Sequence, residues 1–448
     1  MRARPAALAL ILGALALGSV AAPATAAGGS IRWVDDDGRA GPTDCHSGDA
    51  AATTIQKGVD AADPGDTVLV CPGDYTGRVV VGPGKDGVAI VSVRPWLAKL
   101  HAPDGLVGTG SSLLTIARGA DDVTVRWLTL LKAVPAATPP AANPTCGLDN
   151  GIHVLGRRAQ IQSVRVRATG STYSPCGLRT AILVGAYDPQ APGAAAASPA
   201  SATVSHSALR DFYGQGILAR GAGVRADILR NSVRYWHLSA TRVPCALACL
   251  RPGGRVAKPG LQRPAGTVVF GVGIAIGTGA AGLVYGNEVA AGPDAQIFGV
   301  GGQQQGVTPP LIYGIGAEGS AGTDFRLNNV HRAVYGVWVS LETGDIVKGN
   351  VVTDHLQGIT IADSSRVTVN NNQSGPGQFG IFVSAYQVSQ GQMSGQDNVI
   401  RANTALGNSL DCVDITVGSG TGTLGTVNTW KQNTGFSSNP IGLCGSLN

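Results

Sequence analysis

The sequence predicts an all-β fold, a parallel β-helix closed at its first end by a short helix, and three observations predict it. The first is a register of 22 residues. Asn372, Asn350 and Asn328 share it, as do Gly380, Gly358 and Gly336, so that GIFV, GITI and GVWV align with an Asn 8 residues before each Gly. A fixed period in the twenties marks stacked repeats, each burying its apolar face against its neighbours. The second is the content of each repeat: two short runs of alternating character punctuated by Gly and Asn, without a leucine-rich pattern or long helical units. The third is composition. With 65 glycines and only 14% charged residues, the chain suits a turn-rich, strand-rich exported protein.

The asparagines follow from this geometry. Asn is a poor strand former and costly to bury unbonded. At a tight corner between strands it tolerates left-handed backbone, and stacked Asn side chains every ~4.8 Å can hydrogen-bond in a ladder. Asn370, Asn371 and Asn372 are therefore read as a structural device.

The elements run in order. Residues 1–26 carry Arg2 and Arg4, the run ALALILGALALG and Ala24-Thr25-Ala26, a secretory signal with a small-residue cleavage site that is too short for a membrane span. Its loss takes the formal charge from +5 to about +3, too weak a bias to argue for nucleic acid. Residues 27–65 form an N-terminal segment in which Thr53 or Thr54 caps a helix running through Ala62. Asp63-Pro64-Gly65 stops it, and it covers the open end of the solenoid. Residues 66–448 are the solenoid itself, about eleven coils and roughly 50–60 Å long at ~4.8 Å per coil.

The segment TIQKGVDAADPGDTVLVCPGDY, followed by GI-type strands and Asn repeats, resembles the right-handed parallel β-helix repeat proteins of the pectin-lyase-like superfamily over essentially the whole exported chain. The resemblance implies a right-handed coil. It leaves activity open, since that superfamily holds lyases, hydrolases, epimerases and non-catalytic adhesins.

Further coils are placed at Gly151–Val154, Ala181–Val184, Gly216–Leu218, Gly273–Ile276 and Val413–Ile415. Four excursions interrupt them, at about 133–148, 186–202, 237–266 and 293–310, and such insertions leave the stack as surface loops. Eight cysteines in an oxidising compartment suit disulfides. Sequential pairing is the expectation: Cys45–Cys71, Cys146–Cys176, Cys245–Cys249 and Cys412–Cys444. A metal site at Cys245–Cys249 lacks His at ligand spacing.

Alternation points Trp338, Thr360 and Phe382 outward in one column, which His153 and Asp414 extend. An aromatic sheet face of this kind can stack sugar rings. The turn before this strand supplies His331 and Arg332, then Asp354 and His355; the turn after it supplies Glu342 and Asp345, then Asp363 and Arg366. A cation beside a base suits proton abstraction alpha to a uronate carboxylate, the first step of β-elimination. His355, Arg332, Asp354 and His331 are thus the catalytic candidates, with Glu342 at the binding edge. The alternative is a surface pair and solvated turn charges. A second candidate, Arg234, Tyr235 and Trp236, could bind an acidic glycan or anchor an insertion. Asp35-Asp36-Asp37 offers hard oxygens that calcium would accept, but consecutive side chains are expected to diverge.

The polygalacturonase pairing of Asp-Asp with Gly-His-Gly is absent. So is the epimerase segment Tyr-Gly-Phe-Asp-Pro-His, of which Tyr213-Gly214-Gln215 only begins a match. Arg251-Pro252-Gly253-Gly254-Arg255 is one residue short of the pectate-lyase arginine segment. The resemblance therefore carries over no catalytic residue. The expected protein is a secreted, monomeric, carbohydrate-active β-helix acting on an acidic polysaccharide, by lyase-type β-elimination, with calcium as the candidate cofactor. The alternative is a non-catalytic adhesin or glycan-binding rod.

Overall fold

The computed structural model describes residues 29–38, 45, 52–103, 112–133, 150–169, 180–185, 199–212, 214–235, 271–291, 311–320, 322–385 and 395–445. The expected signal segment, Trp236, Cys146, Cys176, Cys245, Cys249 and nearly all of the four insertions lie outside these residues.

The chain winds as a right-handed parallel β-helix. A first sheet stacks thirteen strands, two more than the coil count expected, from Ile31–Val34 at one end to Thr429–Lys431 at the other. A second sheet holds twenty-one strands and is folded about a bend into two limbs. In the regular coils one strand crosses that bend, Asn329–Ser340 and then Val351–Ala362, pairing in parallel along its length. The interior is a continuous column of aliphatics. Val337, Val339, Ile359, Ile361, Ile381 and Val383 are all fully buried, as alternation requires.

At the corner between the sheets the Asn ladder forms. Asn350 donates its N–H (2.8 Å) and Nδ2 (3.0 Å) to Asn372 Oδ1, and Nδ2 also to the Phe325 carbonyl (2.9 Å). The same pattern joins Asn231, Asn287, Asn328, Asn350, Asn372, Asn403 and Asn433, all buried. The ladder members are not the left-handed residues, however. The residue before each one carries the positive φ: Arg230, Gly286, Leu327, Gly349, Asn371, Ala402 and Gln432. That residue turns the corner and so releases the Asn side chain to point inward and bond.

The shared glycines have a packing reason. A Cβ on Gly336 would fall 2.1 Å from Val352 Cγ1 and 2.6 Å from the Gly358 carbonyl. Here the second limb closes against the next coil with no room for a side chain.

The end cap is as expected. Helix Ile55–Ala61 begins at Thr54, whose hydroxyl accepts from the Lys57 N–H (3.2 Å), and it buries Ile55, Gly58 and Val59. From its outer side Gln56 accepts from the Val80 N–H (2.6 Å) and donates to the Val80 carbonyl (3.2 Å). Those are backbone groups of the solenoid's first edge, which is where an open sheet needs partners. Disulfides Cys45–Cys71 and Cys412–Cys444 join the pairs expected from sequence order, one near each end.

Candidate functional site: an aromatic face on the second limb

Register places the outward residues of the second limb in columns. One runs through His153, Leu183, Leu218, Ala275, Gly316, Trp338, Thr360, Phe382 and Val413. Asp414 does not belong to it. Ile381 pairs with Cys412, so Asp414 sits one position on, opposite Val383, and points inward. It is 1% exposed, and its oxygens accept from Thr416 Oγ1 (2.6 Å), Asn428 Nδ2 (3.1 Å) and Trp430 Nε1 (2.8 Å). It is a saturated structural carboxylate.

A second outward column, three residues earlier, carries Tyr313, Tyr335, Gln357, Phe379 and Leu410. Sequence reasoning missed it, although the same 22-residue step connects Tyr313, Tyr335, Gln357 and Phe379. Side by side, the two columns build a patterned surface. Tyr313, Tyr335 and Trp338 form one cluster, with ring centroids 4.7 to 5.5 Å apart. Phe379 and Phe382 form another, 5.4 Å apart. Between them lies one polar coil, where Thr360 Oγ1 donates to Gln357 Oε1 (2.8 Å). Thr360 is fully buried beneath its neighbours, so Gln357 is the polar group the face presents. Offset and tilted rings at these separations lock each cluster's orientation.

The flanking charges divide into surface and interior groups. His331 is partly exposed just before the bend, its Nδ1 2.6 Å from Thr353 Oγ1. Arg332 and Asp354 occupy equivalent bend positions on adjacent coils, both left-handed (φ +57° and +53°), with Asp354 exposed. His355 is not with them. Its ring is 3% exposed inside the solenoid, against Ser374 Oγ (3.1 Å) and Gly377, and burial holds its pKa down to about 4. A side chain so enclosed does not reach the face.

On the other edge Glu318 is partly exposed, and burial pushes its carboxyl up while the charge of Arg220 opposes the shift. Glu342 is 2% exposed, its oxygens taken by the Ser320 N–H (2.5 Å) and hydroxyl (2.7 Å). Asp345 accepts from the Thr323 N–H (2.8 Å), and burial pushes it up to about 7. Glu342 and Asp345 thus tie down the preceding coil's turn.

The second candidate resolves into structure. Tyr235 is 2% exposed and packs edge-on to Phe212 at 5.5 Å, while Arg234 pairs with Glu288 (2.9 Å). At the N-terminal end the expectation of divergence fails. Ligand oxygens of Asp35, Asp36 and Asp37 lie within 4.8 Å of one another, because the chain turns there and gathers consecutive side chains.

The chain is a right-handed parallel β-helix repeat protein, and comparison with known proteins agrees. Residues 273–444 match the family described as periplasmic copper-binding protein (NosD). No curated protein matches the chain significantly. The Dettilon tailspike protein is similar in structure, at TM-score 0.52 and 14% identity over 86% of this chain, which spans 64% of that one. DFA-IIIase from Arthrobacter chlorophenolicus A6 superposes at TM-score 0.47 and 14% identity, covering 83% of each chain. XylC with xylose gives 0.46 and 12%, covering 84% of this chain and 75% of the other. At 14% identity the likeness to the tailspike protein is one of fold alone.

Copper, in that family's description, calls for imidazole or sulfur ligands. Among the described residues the only group of three side chains able to hold a metal is Asp35, Asp36 and Asp37, all hard oxygens and outside the matched segment. The described residues do not fit copper.

Proposed function

We propose that this protein is an exported carbohydrate-active β-helix that engages a polysaccharide across the aromatic face of its second limb. The observation that carries the reading is the pattern itself. Two clusters of partly exposed rings, Tyr313–Tyr335–Trp338 and Phe379–Phe382, flank one polar coil on coils stacked at ~4.8 Å. Pyranose rings present apolar faces that stack on such side chains, while the Gln357 amide would hydrogen-bond the hydroxyls between them. Two disulfides favour an oxidising compartment.

The finer reading is an acidic polysaccharide opened by β-elimination. It is supported at the bend, where Arg332 would offset the uronate carboxylate and His331 would take the alpha proton, with Nδ1 fixed by Thr353. Asp354 would set the charge of that edge. A non-catalytic glycan-binding rod is the second reading, favoured by the enclosure of His355 and the full engagement of Glu342.

Both are tested with the secreted chain on pectic, alginate and glycosaminoglycan polymers, following unsaturated uronate absorbance and reducing ends alongside affinity electrophoresis. Trp338→Ala and Phe382→Ala are expected to weaken retention by roughly tenfold or more, about 1–3 kcal/mol, with the melting midpoint little changed. Retention unaffected by both substitutions sinks the face. Absorbance that rises on one polymer and vanishes in His331→Ala establishes the lyase; retention without product leaves the rod.

A further inference from the structure

The first coil carries a concentration of charge with no part in the aromatic face. Strand Ile31–Val34 runs into a turn closed by the Gly38 N–H on the Asp35 carbonyl (3.2 Å), with Gly38 at φ +73°. Within that turn the oxygens of Asp35, Asp36 and Asp37 converge to within 4.8 Å.

Asp36 and Asp35 are tied to neighbouring backbone. Asp36 Oδ2 accepts from the Asp74 N–H (3.0 Å), and Gly73 permits the approach: a Cβ there would sit 2.5 Å from that oxygen. Asp35 is 4% exposed, and its backbone N–H is tied to the Ala52 carbonyl (2.9 Å). Its Oδ2 is sealed from solvent and has no hydrogen-bond partner, and its carboxyl group lies with those of Asp36 and Asp37. A carboxylate oxygen enclosed without a donor is costly, and its usual remedies are an N–H, a proton or a cation. The structure supplies no N–H to this atom.

We propose that Asp35, Asp36 and Asp37 form a site for a hard divalent cation of the calcium type, with Asp35 Oδ2 as its inner ligand. Calcium accepts all-oxygen coordination in irregular geometry, completed by water, whereas softer metals would seek nitrogen or sulfur. The ion would fasten the end of the first strand to Gly73–Asp74 of the next coil, near the Cys45–Cys71 disulfide, and so stiffen the N-terminal closure. The site is independent of the glycan reading.

The test is calorimetric titration of the chelator-stripped, secreted full chain with calcium chloride, with thermal unfolding in calcium and in chelator. Wild type should bind one calcium here and gain roughly 2 °C or more at a hundredfold excess over Kd. Asp35→Asn and the exposed Asp37→Asn should each lose at least tenfold in affinity together with the calcium-dependent shift. Should Asp35→Asn fail to fold, Asp37→Asn decides. Absence of stoichiometric binding by wild type, or equal binding by wild type and Asp37→Asn, overturns the proposal. So does a wild type whose melting midpoint is the same in calcium and in chelator while Asp35→Asn melts higher in both, since a proton would then be the native remedy.

Discussion

The same backbone corner is built twice in this solenoid, with opposite chemistry. In the early coils the left-handed residues Trp127 and Ser163 are followed by Leu128 and Val164, both fully buried. From Arg230 onward the left-handed residue is followed by Asn in every coil to Asn433. Between the two regimes stands Ser207, whose N–H donates to Asn231 Oδ1 (2.9 Å) and starts the ladder. An apolar corner asks only for volume, and many residues supply that. An amide corner asks for donors and an acceptor at fixed positions, so it tolerates one residue type and repeats visibly.

Breaking the amide corner should have the largest effect. Asn350→Leu leaves the Asn328 N–H without its acceptor, strips one partner from Asn328 Nδ2, and removes the side-chain donor from the Phe325 carbonyl and Asn372 Oδ1, and should cost about 3–5 kcal/mol in urea unfolding. A loss near 1 kcal/mol would mean that the ladder adds little beyond volume.

The later coils also carry buried carboxylates, which gives them a pH signature. Asp345 is raised from 3.8 to about 7, so its contribution is fully present below pH 3.8 and is lost as pH rises through 7. Wild type minus Asp345→Asn should therefore show stability falling by about 2–4 kcal/mol from pH 4 to pH 7.5. Subtraction matters because His355, lowered to about 4, acts the other way, losing stability as pH falls below 6.5. A flat difference curve would remove Asp345 from the account.

The apolar corner offers the matching control. Val164→Ala should cost about 2 kcal/mol through lost burial, with no pH dependence. Smallest of all, Thr54→Ala removes the helix cap and should cost about 1 kcal/mol, read in the same melts.

These two corners also explain what the sequence made legible. The 22-residue step exposed the fold because Asn and Gly are each irreplaceable at their positions: Asn by its hydrogen bonds, Gly336 because a Cβ there would fall 2.1 Å from Val352 Cγ1. Early coils share the backbone but not the constraint, so their repeats are less regular in sequence. The face was half legible. Trp338 and Phe382 follow from alternation, and Tyr313, Tyr335 and Phe379 obey the same step but lie outside the aligned GVWV, GITI and GIFV segments. Two misplacements have local causes. Asp414 moved because Cys412, not Val413, occupies the inward position opposite Ile381. His355 turned inward because the bend at Asp354 reverses which side chains face the core, something period-two counting cannot foresee.

The ladder also has a sense of direction. Each Asn gives two donors to its C-terminal neighbour and offers one oxygen to its N-terminal neighbour. Peeling away the last coil strands two N–H groups, whereas peeling away the first strands a single acceptor, which buried structures tolerate better. Unwinding under load is therefore a one-way affair, starting more readily at the N-terminal end of the laddered stretch, and the bridge Cys412–Cys444 reinforces the end where release is already the more costly.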